Sequence, residues 1–148
     1  MTTAGVDLNW YMSLVLDCSV TLAWVYSDET TQAVRELFET VSQSGAWVPG
    51  LWRLEVANVL EMNIRRRRHG ADFRNLTLAD LAQLPIQVDS DTDRQAWSAT
   101  LRLAERHKLT LYDAAYLELA LRRSLALATL DEDLRRAGAS EKIRLLGK

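Results

Sequence analysis

Leu14-Val15-Leu16-Asp17 and Leu127-Ala128-Thr129-Leu130-Asp131 decide the fold of this chain. Each is a short apolar run that ends in an aspartate. A run without polar alternation and too short for a helix fits a strand buried on both faces, as the central strands of a parallel sheet are. Working outward, Ala46 to Val48, Ile86 to Val88 and Ile143 to Leu146 complete five strands, with Leu14 to Asp17 first and Leu127 to Thr129 fourth. Helical patterns fill the gaps. They cover Asp28 to Ser42 with an N-cap from Asp28 or Thr30, Leu51 to a stop at Gly70, Thr77 to Gln83, residues 91 to 107, residues 111 to 124, and Asp131 to Ala137 with a stop at Gly138. Strands alternating with helices predict an α/β fold with a mostly parallel five-stranded sheet.

The chain has 148 residues, the size of one domain. Met12 stands directly before the first convincing strand, so residues 1–12 read as an extension or a misassigned start and residues 13–148 as a single domain. The hydrophobic share of 48% and charged share of 26% are those of an ordinary globular protein. One cysteine, Cys18, excludes an internal disulfide and a thiolate zinc cluster. Charges interrupt every apolar stretch well short of the roughly 20 residues that span a bilayer, and no secretory signal is recognisable, so a cytoplasmic protein without membrane contact is expected. The net charge of −2 provides no global attraction to a polyanion. Contact with nucleic acid must be local.

Four acids stand where apolar residues or plain strand ends are expected. Asp17 and Asp131 follow the carboxyl ends of the first and fourth strands, where open α/β sheets bind ligands. Glu55 shares a helical stripe with Leu51 and Val59, and Asp113 opens the helix that begins near residue 111. If the first and fourth strands are neighbours, the four carboxylates converge on one pocket. Two carboxylates ~4 Å apart repel by about 4 kcal/mol at an effective dielectric near 20. A divalent cation offsets that repulsion, and hard oxygen donors without His or Cys suit Mg²⁺ or Mn²⁺. Such a site hydrolyses phosphodiesters. Each acid also has a structural reading. Asp113 fits a capping box with Thr110, Asp131 or Asp133 caps the last helix, Asp17 is a turn residue, and Glu55 pairs with Arg53 or Arg65.

The order and setting of these acids resemble the PIN domain. Leu14-Val15-Leu16-Asp17-Cys18-Ser19-Val20 is similar to the family's opening strand with its Asp and Ser. The stretch from Val48-Pro49-Gly50 to Glu55-Val56-Ala57-Asn58 is similar to its second motif, Leu109-Thr110-Leu111-Tyr112-Asp113-Ala114-Ala115 to its third, and Leu127-Ala128-Thr129-Leu130-Asp131 to its fourth. The resemblance implies a three-layer α/β/α fold and Mg²⁺ or Mn²⁺ held by Asp17, Glu55, Asp113 and Asp131. Ser19 matches the family's small hydroxyl beside the metal, whereas Asp133 has no firm counterpart and reads as a supporting or surface residue. The resemblance further implies cleavage of single-stranded RNA and a homodimer. Length and the lack of further domains favour the VapC-like toxins of VapBC pairs, which a small VapB-like antitoxin inhibits.

Arg65 to Arg68 with His69 is the only dense basic run, and Arg65 is a candidate RNA contact, although consecutive helical residues point around the axis. The two histidines, His69 and His107, read as surface groups. Of five tryptophans, Trp24 and Trp52 flank the proposed site and could stack a base or receive an antitoxin helix. A phosphoacceptor receiver needs a second acid beside Asp17, and a haloacid-dehalogenase-like phosphatase needs an Asp at the position of Ser19. Both are set aside. The remaining alternative is a PIN-like module that binds RNA or a partner with weak or lost catalysis.

Overall fold

The computed structural model describes residues 13–148; the expected extension over residues 1–12 lies outside them. The five strands are β1 (Leu14–Leu16), β2 (Ala46–Val48), β3 (Ile86–Val88), β4 (Ala126–Ala128) and β5 (Leu145–Leu146). They form one sheet in the order β3-β2-β1-β4-β5, and every pair is parallel. The chain starts in the middle, moves out through β2 to β3, and returns on the other side of β1 through β4 to β5. The turning point lies between β1 and β4, paired Leu14 with Ala126 and Leu16 with Ala128. Asp17 N–H extends that ladder by donating to the Ala128 carbonyl at 3.0 Å.

The helices are α1 (Cys18–Val25), α2 (Gln32–Ser44), α3 (Trp52–Arg65), α4 (Ala71–Ala82), α5 (Thr92–Gln95), α6 (Ala99–His107), α7 (Leu111–Arg123) and α8 (Glu132–Ser140). They cover the sheet on both faces and complete the three-layer α/β/α architecture. All of β1 is buried, whereas the edge strands β3 and β5 are only partly covered. The core gathers Leu14, Leu16, Val20, Leu60, Tyr116, Leu117, Leu127 and Leu134.

Several boundaries differ from those expected. Helix α1 was not predicted, because it is apolar without a periodic polar face; Cys18, Val20, Thr21 and Ala23 are all buried. Helix α2 begins after Thr31, whose hydroxyl caps Val34 N–H at 3.2 Å, while Ser27–Glu29 forms a separate 3-10 turn. Helix α3 ends at Arg65 and Arg67 takes a left-handed turn, so Gly70 starts α4 rather than stopping α3. The expected helix over 91–107 divides into α5 and α6. Gly138 lies inside α8, where a Cβ would stand 2.8 Å from Leu145 Cδ2. Glycine is there because β5 packs against the helix, not because the helix stops.

An ion network ties the end of β3 to α7. Asp89, 2% exposed, accepts from Arg122 Nη2 at 2.6 Å and Nη1 at 3.1 Å and from Thr92 Oγ1 at 3.0 Å, and Arg122 also bonds Glu118 at 2.9 Å. Burial pushes the Asp89 carboxyl up, but the Arg122 and Thr92 hydrogen bonds outweigh it and hold the group below its usual range. Removing one partner of a buried pair strands the other, so Asp89→Ala is expected to cost about 3–5 kcal/mol in urea unfolding. A loss near zero would mean that Arg122 finds full solvation without Asp89.

Candidate metal and nuclease site

The four acids come from four places that the topology brings to one end of the sheet. Asp17 follows β1, Asp131 follows β4, Glu55 lies in the first turn of α3 and Asp113 in the first turn of α7. Asp17 is 5% exposed, and its Oδ2 accepts from Ser19 Oγ at 2.5 Å and from Thr129 Oγ1 at 2.8 Å. Ser19 Oγ accepts in turn from Leu130 N–H at 2.9 Å, which locks α1 to the β4–α8 loop. Glu55 Oε1 accepts a 2.5 Å hydrogen bond from the hydroxyl of fully buried Tyr116 on α7. Asp131 Oδ1 caps α8 by accepting from Leu134 N–H at 2.8 Å, and Thr110 Oγ1 caps α7 by accepting from Asp113 N–H at 3.1 Å. Asp131 is therefore the cap of the last helix, and of the capping box expected at Asp113 the Thr110 half is present.

These acids feel one another. Burial raises the Asp17 carboxyl against the hydroxyls of Ser19 and Thr129, and Asp131 adds to the rise. Burial, opposed by the Tyr116 bond and reinforced by Asp17 and Asp113, pushes Glu55 up to about 7. Burial together with Asp131 and Asp17 pushes Asp113 up to about 6. Among the described residues, however, no group of three or more His, Cys, Asp or Glu side chains is arranged to hold an ion outright. The acids share an electrostatic neighbourhood without forming a closed cage. The fit to Mg²⁺ or Mn²⁺ is one of donor type and charge: hard oxygens and uncompensated negative charge, with Glu55 and Asp131 each using one named oxygen internally.

The sign of the pH dependence follows. A carboxyl whose folded pKa lies above its unfolded value favours folding most when it is protonated, so stability is greatest in acid and is lost as the pH rises through the folded pKa. With unfolded values of 4.5 for Glu55 and 3.8 for Asp113 and folded values of about 7 and 6, the window runs from about 4 to 7. The melting temperature of chelator-treated protein is expected to fall across that window, and Mg²⁺ to restore it at the upper end. A melting temperature that rises steadily from acid to neutral would contradict the described electrostatics.

Other candidates fall elsewhere. Asp133 is exposed and pairs with Arg136 at 3.5 Å on the surface of α8. Trp52 is 5% exposed, and its Nε1 donates to Thr21 Oγ1 at 3.1 Å, so it is core and offers no face to a base. Trp24 donates to the Val34 carbonyl at 2.8 Å and packs edge-on against Phe38, which turns it toward α2. Arg65 is exposed but ten residues along α3 from Glu55, about 15 Å away. His69 is not a free surface group: its Nε2 shares a 2.9 Å hydrogen bond with Tyr26 Oη, and its ring lies against Phe73. The His107 side chain is only 10% exposed, 3.5 Å from Glu141. Burial pushes the Cys18 thiol well up, so it stays protonated. Thr129 and Tyr116 were not expected. Thr129 carried a signal, a hydroxyl directly after an apolar strand; Tyr116 carried none.

Comparison with known proteins gives a family and two similar folds. A family model described as "PIN domain" matches residues 14–140. Two solved structures are similar. The crystal structure of PAE2754 from Pyrobaculum aerophilum has 22% identity, covers 84% of this chain and 78% of its own, and superposes with a TM-score of 0.64. That of Mycobacterium tuberculosis VapC20 (Rv2549c), described as a sarcin-ricin loop cleaving toxin, has 19% identity, covers 84% and 95%, and gives 0.61. No curated protein matches the chain.

Proposed function

The chain belongs to the PIN-domain family, and from that premise we propose that it is a divalent-metal-dependent endoribonuclease that hydrolyses single-stranded regions of RNA as the toxin of a VapBC-type pair. The observation that carries the reading is that Asp17, Glu55 and Asp113 are raised, by burial first and by neighbouring carboxylates second, with Asp131 among those neighbours. Buried carboxylates whose neighbours disfavour their charge lack a counter-charge, and such clusters are a mark of functional sites. These four side chains would hold Mg²⁺ or Mn²⁺, with Ser19 and Thr129 orienting Asp17. When bound, the ion supplies Lewis-acid stabilisation of phosphoryl charge and makes water more acidic. Glu55 and Asp113 titrate near neutrality, so loading the site releases their protons. Tyr116, whose phenol burial keeps protonated, remains a donor to Glu55 throughout.

A VapB-like antitoxin, a homodimer and a cytoplasmic location belong to the same reading. Among the described residues no helix is long and apolar enough to cross a membrane. The test is purified protein without antitoxin, incubated with single-stranded RNA under chelator, Mg²⁺ and Mn²⁺. Metal-dependent cleavage is expected. A second reading, a PIN fold retained to bind RNA or a partner, is favoured by the lack of a closed acidic cage. RNA that stays intact with both metals while still being bound would establish it.

A further inference from the structure

A cleft of about 380 Å³ opens between α1 and α3 beside the acids. At one end stand Ser19 and Leu130, the residues joined by the bond that orders the site around Asp17. At the other stand Tyr26, Asn63 and Arg68, and the carboxylate residue Glu29 lines the cleft as well. One wall is a stripe of α1 and the other a stripe of α3. In α3, Glu55, Val59 and Asn63 succeed one another at i+4 spacing; the cleft takes Val59 and Asn63 of that stripe, with Asn63 about 12 Å along the helix from Glu55.

The two ends differ in chemistry. The walls are apolar through Leu22, Ala23 and Val59. The far end is polar and fixed. Asn63 is 7% exposed, and its Nδ2 donates to Tyr26 Oη at 2.8 Å. Asn63 is also one of the residues that line the cleft. Arg68 lies over the Tyr26 ring, 4.1 Å from its centroid, and is held there by Asp28 at 2.7 Å. A flat group with a hydrogen-bonding edge matches a slot with apolar walls and a carboxamide at its end, because a carboxamide offers one donor and one acceptor side by side. Single-stranded RNA presents such groups when its bases are unstacked.

We propose that this cleft is a base-recognition pocket for the nucleotide adjoining the cleaved phosphate, with Val59 and Leu22 sandwiching the base and Asn63 reading its edge. The proposal rests on the nuclease reading for the position of the phosphate, and not for the binding itself. A base seated here leaves its own backbone at the Ser19 end, beside the acids. A duplex has no unstacked base to insert, so the pocket also selects single strands.

The test is fluorescence anisotropy with short homopolymeric RNAs of the four bases and one abasic oligomer, on the full chain carrying Asp17→Asn to silence cleavage. That parent is expected to bind one homopolymer at least about tenfold tighter than the abasic strand, the scale of one stacked base. Val59→Phe, which fills the slot from a half-buried wall position, should reduce that homopolymer to the abasic level. Asn63→Asp should change which base is preferred while abasic binding stays the same. Val59→Phe that keeps the parent's affinity and base order overturns the proposal and leaves the cleft to a protein segment. Wild-type protein that shows the base preference yet never cleaves would sink the nuclease reading alone.

Discussion

Asp17→Asn is expected to lower metal-dependent RNA cleavage by about a hundredfold or more, beyond the loss typical of changes around a metal's ligands, while the metal-free protein becomes at least as stable as the wild type. The two effects have one cause. Asp17 is buried, and burial, with the neighbouring Asp131 carboxylate adding to it, raises its pKa, so its carboxylate is unfavourable in the fold without a cation. An asparagine keeps an oxygen for the hydroxyls of Ser19 and Thr129 and removes the charge. Each 1 kcal/mol so gained raises the melting temperature by about 2–4 °C in a domain of this size. Mg²⁺ should stabilise the wild type by mass action and the variant little. Scanning calorimetry with and without Mg²⁺, beside a cleavage assay, checks both halves. If Asp17→Asn melts many degrees lower in chelator, Asp17 is a structural residue and its place at the strand end has no bearing on catalysis.

Such a residue is legible in sequence because it violates a pattern. Leu14–Leu16 and Leu127–Ala128 are wholly apolar, which marks central strands, and an acid directly after the first and three residues after the second stands out. Their adjacency was only a condition in the sequence, and the parallel pairing of β1 with β4 meets it. Features that obey no local period were hidden. Helix α1 is apolar all round, and α4 buries no residue fully, so neither shows an amphipathic stripe at its true length. Gly138 was misread for a related reason: the constraint on it comes from Leu145, on another element. Trp52 looked available because its helix bears Glu55, yet at three positions' remove it faces Thr21 and the core. The Asp89–Arg122 network joins residues 33 apart in sequence and left no mark in either segment.

Tyr116 is the extreme case, since its partner Glu55 lies 61 positions away, and its removal carries the second large expected effect. Tyr116→Phe keeps the buried ring and deletes one hydroxyl. The phenol donates to the charged form of Glu55 and lowers its pKa against burial and the charges of Asp17 and Asp113. Without that donor the carboxyl rises further above about 7, so at neutral pH a larger share is protonated and unable to hold a cation. Mg²⁺ affinity, followed as the concentration that half-stabilises the protein against heat, is expected to weaken about tenfold or more near pH 7. Raising the pH to about 9 should recover much of the loss, because deprotonation replaces what the hydroxyl supplied. In chelator near pH 5, where Glu55 is neutral in both proteins, the change should cost no more than the roughly 1 kcal/mol of one hydrogen bond. A loss of Mg²⁺ affinity that persists unchanged at high pH would mean that Tyr116 acts through packing alone. In that event the contact between α3 and α7 holds the two helices together without tuning the carboxylate between them.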